Sequence, residues 1–240
     1  MRIIILVTSI LFFQAISADA IILPMRERAQ VIDEIIDERI ETVLPGLMER
    51  TGIDMWVIIS REYNEDPVLK TFLPSTWQTA RRRTILLIYN PGNGEPLETL
   101  AVARYGVGKT FTKAWDKELH GDQWKRLAEL IEERNPNKIG INYSDTFALA
   151  DGITHTEYDL FLESLKPAHR EKVISAEELA VGWLETRSKT EMIIYQQICR
   201  IAHEILAAGL TDEVIQPGIT TTNDVAWWYR DRIRELKLTA

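Results

Sequence analysis

The chain has 240 residues, 45% of them hydrophobic and 27% charged, with no low-complexity stretch. That is a globular composition, long enough for one large domain or for one medium domain plus part of another. A net charge of −8 argues against a general phosphate-binding surface, because nucleic-acid binders concentrate lysine and arginine.

Residues 1–20, MRIIILVTSILFFQAISADA, have the form of an export signal. Arg2 supplies the positive start, Ile3 to Phe13 the apolar core, and Ala18-Asp19-Ala20 a small-x-small cleavage site. The rival is an uncleaved anchor, but a span needs about 20 apolar residues, and Gln14, Ser17 and Asp19 cut this run short. The expectation is cleavage after Ala20, an exported (periplasmic or secreted) mature chain starting at Ile21, and no stable membrane span.

From Val31 to Met48 apolar residues recur at helical spacing, with Pro45-Gly46 predicting a kink or a new helical start. Met55 to Ile59 is a short continuous apolar run, which predicts a strand buried on both faces. Arg61 to Thr79 is irregular. Arg81-Arg82-Arg83 leads into the apolar TILLIY, so the triplet reads as a basic strand start rather than a nucleic-acid patch. Asn90 to Gly94 predicts a turn, and Leu97 to Ala103 its antiparallel return. Gln123 to Glu133 is an amphipathic helix stopped by Asn135-Pro136-Asn137. Lys138 to Asn142 is a strand, Thr156 to Leu165 a helix and Lys172 to Ile174 a strand. This alternation makes residues 30–174 an α/β domain with a mixed sheet.

The pattern then turns wholly helical. Ser175 to Glu178 and Ser188 to Glu191 both have the spacing of capping boxes. The second opens a helix to about Ala208 with Ile194, Ile198, Ile201 and Ile205 as its stripe. A last helix, 223–238, has Val225, Trp228, Tyr229, Ile233 and Leu236 on one face, and a domain boundary is expected between Ile174 and Leu184.

Candidate chemistry is sparse. Ala103 to Thr110 ends like a phosphate-binding loop, but alanine stands at 103 where that loop needs glycine, and a glycine-bearing turn is the better account. Asp151, His155, Glu157 and Asp159 suggest a metal cluster. On one helix, however, Glu157 and Asp159 lie about 200° apart and cannot converge, so their place in the first turn suits the helix dipole instead. His120, His169 and His203 lack the spaced partners of a metal site. Cys199 is the only cysteine, so no intrachain bridge can form. A packed thiol is preferred to an intermolecular bridge or a catalytic group, because nothing adjacent activates it. No catalytic, cofactor-binding or metal residue is assigned in this chain.

Leu184-Glu185-Thr186-Arg187-Ser188-Lys189-Thr190-Glu191-Met192, followed by an isoleucine-rich helix, resembles the opening of the catalytic domain in the creatinase/aminopeptidase P family of metallopeptidases. Arg187, Lys189, Glu191 and Ala202 fit that pattern. Ile215 to Thr220 is similar to the family's Pro-Gly-x-Thr turn, with Thr221 where glutamate is usual. Upstream, a leading helix, the strand MWVIIS, a loop, an arginine-led strand and a hairpin resemble the family's amino-terminal domain. Asn64, Leu73 and Arg83 sit near its marked places, although its Leu-Thr-Gly turn is missing.

The resemblance implies an α/β fold in which a mixed-sheet creatinase-like amino-terminal domain, 21–175, precedes the first helices of an incomplete α+β pita-bread domain, 176–240. It implies a parent Xaa-Pro aminopeptidase using two divalent metal ions, manganese or similar, held by two aspartates, a histidine and two glutamates that follow these helices. This chain is then expected to bind neither ion and to be inactive alone. The implied partners are a peptide with proline second and further copies of the chain, as a homodimer or larger oligomer, with no nucleic acid. A creatinase-type C–N hydrolase shares the architecture. The alternative from a different class is a non-catalytic exported α/β binding or assembly module.

Overall fold

The computed structural model describes residues 22–239; the expected signal segment and its cleavage site lie outside them. Two compact units are distinguished by their internal contacts, one spanning Pro24–Ile194 and the other including residues 195–239.

The first unit opens with helix α1, Met25–Thr42, earlier than the apolar periodicity alone predicts. Helix α2, Leu44–Thr51, is a new start with Pro45 in its first turn, where a missing N–H costs nothing. It ends on Gly52 in the left-handed conformation, φ 64°. Strand β1 is Met55–Arg61, and the irregular stretch behind it holds one helical turn, α3, Pro67–Lys70. Strands β2, Arg83–Tyr89, and β3, Glu98–Val102, form the expected hairpin. Like α3, two further short elements here escape the sequence pattern: strand β4, Thr112–Lys113, and helix α4, Lys117–His120. Helix α5, Gln123–Arg134, ends on Asn135 at positive φ. Strand β5 (Ile139–Ile141), helix α6 (His155–Ser164), α7 (Pro167–Arg170), strand β6 (Val173–Ser175) and helix α8 (Glu177–Glu185) complete the unit.

The sheet order is β4-β3-β2-β1-β5-β6. Strand β1 lies near its middle, antiparallel to β2 and parallel to β5. Its side chains alternate between two cores, as the two-residue period requires. Trp56 and Ile58 join Leu44, Leu69, Phe72 and Trp183 on one face, while Met55, Val57 and Ile59 join Leu127, Ile131 and Phe161 on the other. The continuous apolar run at Met55 to Ile59 is therefore buried on both faces.

Helix α8 packs inside this unit: Trp183 is buried and stacks on Phe72 with ring centroids 4.5 Å apart. The first compact unit accordingly runs past the chain position at which the sequence turns helical. Ser175 does not form a reciprocal capping box. Ala176 is the N-cap of α8, and the Ser175 hydroxyl instead accepts from Glu177 N at 3.1 Å and donates to Tyr143 O. The second predicted box is present: Ser188 N donates to Glu191 Oε2 at 2.7 Å and Glu191 N to Ser188 Oγ at 3.2 Å. It opens helix α9, Lys189–Gly209.

The second unit comprises the rest of α9 and helix α10, Thr222–Glu235. Thr221 and Asp224 form a complete capping box on α10, with Thr221 as the cap. Tyr229 Oη donates to Leu206 O at 3.0 Å, and the Tyr229 ring closes against Gly209, where a Cβ would overlap it. Among the described residues no helix is long and apolar enough to cross a membrane.

Candidate functional site

The groups suggested by the sequence as metal ligands are not brought together. Asp151 accepts from Ser144 N, and His155 faces Asp159 at 3.5 Å on the exposed side of α6. Glu157 goes elsewhere. Its carboxylate is 1% exposed and takes two hydrogen bonds from Arg83, at 2.6 and 3.2 Å, with Arg61 at 3.7 Å. Its first-turn position therefore serves a buried ion pair as well as the helix dipole. Arg83, the residue leading β2, also lies over the Trp124 ring at 4.7 Å.

The other histidines have structural partners or none of metal-binding kind. His120 Nδ1 accepts from Asp116 N, buried His169 meets Asn135, and His203 is exposed on α9. Among the described residues no group of three or more His, Cys, Asp or Glu side chains could hold a metal ion. A dinuclear centre does not fit these residues. The stretch Ala103 to Thr110 is a glycine-bearing turn: Gly108 has φ 61°, and Val107 and Phe111 exchange both backbone hydrogen bonds.

Two buried polar clusters emerge that the sequence does not announce. Asp66, 1% exposed, caps α3 by accepting from Val68 N and Leu69 N, and also accepts from Asn142 Nδ2 at 2.8 Å. Asn142 Oδ1 in turn accepts from Trp56 Nε1 at 2.8 Å. Burial pushes the Asp66 carboxyl above the usual carboxylate range, against the pull of these donors.

The second cluster surrounds Arg39. Its guanidinium lies 4.2 Å from the centre of the Trp183 ring, donates to Trp183 O, and pairs with Glu191 at 2.8 Å. Glu191 thus joins α1 to the first turn of α9 while closing its own cap. Of the residues carrying the family resemblance, Glu191 is held in this cluster, whereas Arg187 donates to Leu184 O at 2.7 Å. Beside the cluster lies an open groove of about 390 Å³, between α1 and residues 70–77, lined by Ile32, Ile36, Lys70, Leu73, Trp77 and Trp183 among others.

No family model matches the chain, and no curated protein matches it. Among solved structures it is similar to the Xaa-Pro dipeptidase from Bacillus anthracis, with 16% identity and a TM-score of 0.47 over 85% of this chain and 49% of that one. The chain spans about half the length of that structure.

Proposed function

We propose that the chain is the amino-terminal part of an exported metallo-aminopeptidase, one that removes the amino-terminal residue of a peptide with proline at the second position. On this reading residues 21–175 mediate self-association and shape the substrate entrance. Residues 176–240 contribute the first helices of the catalytic domain, and the ligands for two divalent ions lie outside residues 22–239. The support is the order of elements: a leading helix, a doubly buried β1, a loop, an Arg83-led β2 and a hairpin, and later Leu184 to Met192 ending in the Ser188–Glu191 cap of α9.

The test is the protein isolated from its native source, incubated with Xaa-Pro peptides and manganese. Release of the amino-terminal residue, abolished by a chelator, is expected; no release with manganese, cobalt or zinc overturns the reading. Creatine in a parallel assay separates the C–N hydrolase alternative. The 240-residue chain by itself is expected to bind no stoichiometric manganese in calorimetry, whereas two ions bound per chain would place the ligand set inside it.

A second reading, a non-catalytic exported binding module, is favoured by one observation. Beside Trp183 lies an open groove lined mostly by apolar side chains, and among the described residues no group of three or more His, Cys, Asp or Glu side chains could hold a metal ion.

A further inference from the structure

We propose that Asn93 is a site of self-modification, at which the main chain attacks the side chain and converts asparagine to aspartate and isoaspartate. This inference does not rest on the peptidase reading.

The chain has seven asparagines, and one of them, Asn93, is followed by glycine. The reaction needs a next residue that has a main-chain N–H and no side chain in the way. Asn90 and Asn135 precede proline, which has no N–H to give up. Asn142 is 1% exposed, and both ends of its amide are engaged, by Trp56 and by Asp66. Asn137 donates to Asp54 and precedes Lys138. Asn64 and Asn223 are exposed, but each precedes a residue with a side chain, Glu65 and Asp224.

The tertiary structure leaves the pair Asn93-Gly94 open. Both residues are exposed at the tip of the β2–β3 hairpin, in a turn closed by Glu95 N donating to Gly92 O at 3.1 Å. Their φ values, 56° and 77°, are those of a type I′ turn. Neither the Asn93 side-chain amide nor the Gly94 N–H makes a hydrogen bond among the described residues. A Cβ built on Gly94 would meet nothing within 4 Å. No protein group therefore competes for either reacting partner or shields it from water.

The Gly94 nitrogen attacks Asn93 Cγ and forms a new N–C bond that closes a cyclic imide. The bond from Cγ to the side-chain nitrogen breaks, and that nitrogen takes up the Gly94 proton and leaves as ammonia. Water then opens the imide. Cleavage at Cγ gives aspartate, and cleavage at the main-chain carbonyl gives isoaspartate, whose main chain is longer by one methylene. Either product places a carboxylate at the rim of an open recess of about 810 Å³ that Glu41, Glu49 and Glu95 also line, so like charges accumulate there. The extra methylene of isoaspartate also breaks the geometry of the Gly92–Glu95 turn.

The experiment incubates the full chain at neutral pH and body temperature and follows each asparagine by peptide mass spectrometry. The peptide containing Asn93 should gain a single mass unit, as a mixture of aspartyl and isoaspartyl forms, about tenfold faster than those containing Asn64, Asn137 or Asn223. An isoaspartyl methyltransferase with a labelled methyl donor should mark the same peptide. Gly94→Ala should slow the conversion about tenfold, because the new methyl obstructs the attacking nitrogen. That variant is strained at a positive φ, so the comparison is repeated in urea, where the steric effect survives loss of the fold. The folded wild type should convert within about tenfold of its rate in urea, because the turn is open. Conversion led by another asparagine overturns the proposal, as does an aspartyl product alone, which would mean direct hydrolysis without the imide. So does a Gly94→Ala rate equal to wild type in urea, or a folded rate far below the unfolded one, which would show that the turn holds the two groups apart.

Discussion

Arg83 and Glu157 form a pair whose halves have different alternatives. Glu157 is 1% exposed, whereas Arg83 is 27% exposed and rests on Trp124. Arg83→Ala leaves a carboxylate buried with only the more distant Arg61, and should cost about 3 kcal/mol in urea unfolding. Glu157→Ala leaves an arginine that can turn towards water, and should cost less, about 1–2 kcal/mol. The reverse order would show that the carboxylate is more hydrated than its burial implies. Asp66 gives a pH signature. Its folded-state carboxyl titrates above its ordinary value of 3.8 because of burial, so its stabilising contribution is fully present below that value and falls as pH rises through the raised one. The stability of the wild type relative to Asp66→Ala should therefore grow as the pH is lowered from neutral towards 4, then level off. At neutral pH Asp66→Ala should still lose about 1 kcal/mol, because the α3 cap and the Asn142 bond disappear. Urea titrations of both proteins across that range test it; a difference that shrinks on acidification would mean the carboxyl is not raised.

At the scale of elements, helices α9 and α10 contrast with β1. The isoleucine stripe expected on α9 is only partly covered: Ile205 is buried and Ile194 and Ile201 half-buried, while Ile198 is exposed. On α10 the five residues of its apolar face are all half-buried, none fully. Elements that bury so little should open with a smaller free energy than a strand buried on both faces. Amide exchange is expected to be faster over residues 195–235 than over Met55 to Ile59. Gly209→Ala should widen that gap, because the new methyl overlaps the Tyr229 ring and the Tyr229–Leu206 bond must give way. The loss is expected at about 1 kcal/mol, seen as faster exchange over Thr222–Glu235 with β1 unchanged; unchanged α10 protection would mean the ring moves aside freely. Periodicity is a good guide to elements of this length, since a helix or strand must show its buried face in its own residues. It fails for α3, α4, α7 and β4, because two to four residues hold too little pattern to register.

For the whole chain, limited proteolysis should yield a stable fragment ending between residues 186 and 194. Trp183 stacks on Phe72 inside the first unit, so cleavage within α8 would expose a core side chain. A stable fragment ending near Ile174 would show instead that the sheet does not need α8. The sequence by itself determined the alternation of strands and helices, the doubly buried β1, the β2–β3 hairpin and the cap at Ser188. Each of these depends on residues that are neighbours along the chain, where spacing alone dictates direction. Only the tertiary structure decided the membership of α8, the partner of Glu157, the Asp66–Asn142–Trp56 network and the groove beside Trp183. These join residues far apart in sequence: Arg39 and Glu191 are separated by 152 positions, Thr71 and Trp183 by 112. No local period records such a meeting. It follows from the sheet order and from which helix covers which face, and there α1, α3 and α8 bring Arg39, Lys70 and Trp183 to the same groove.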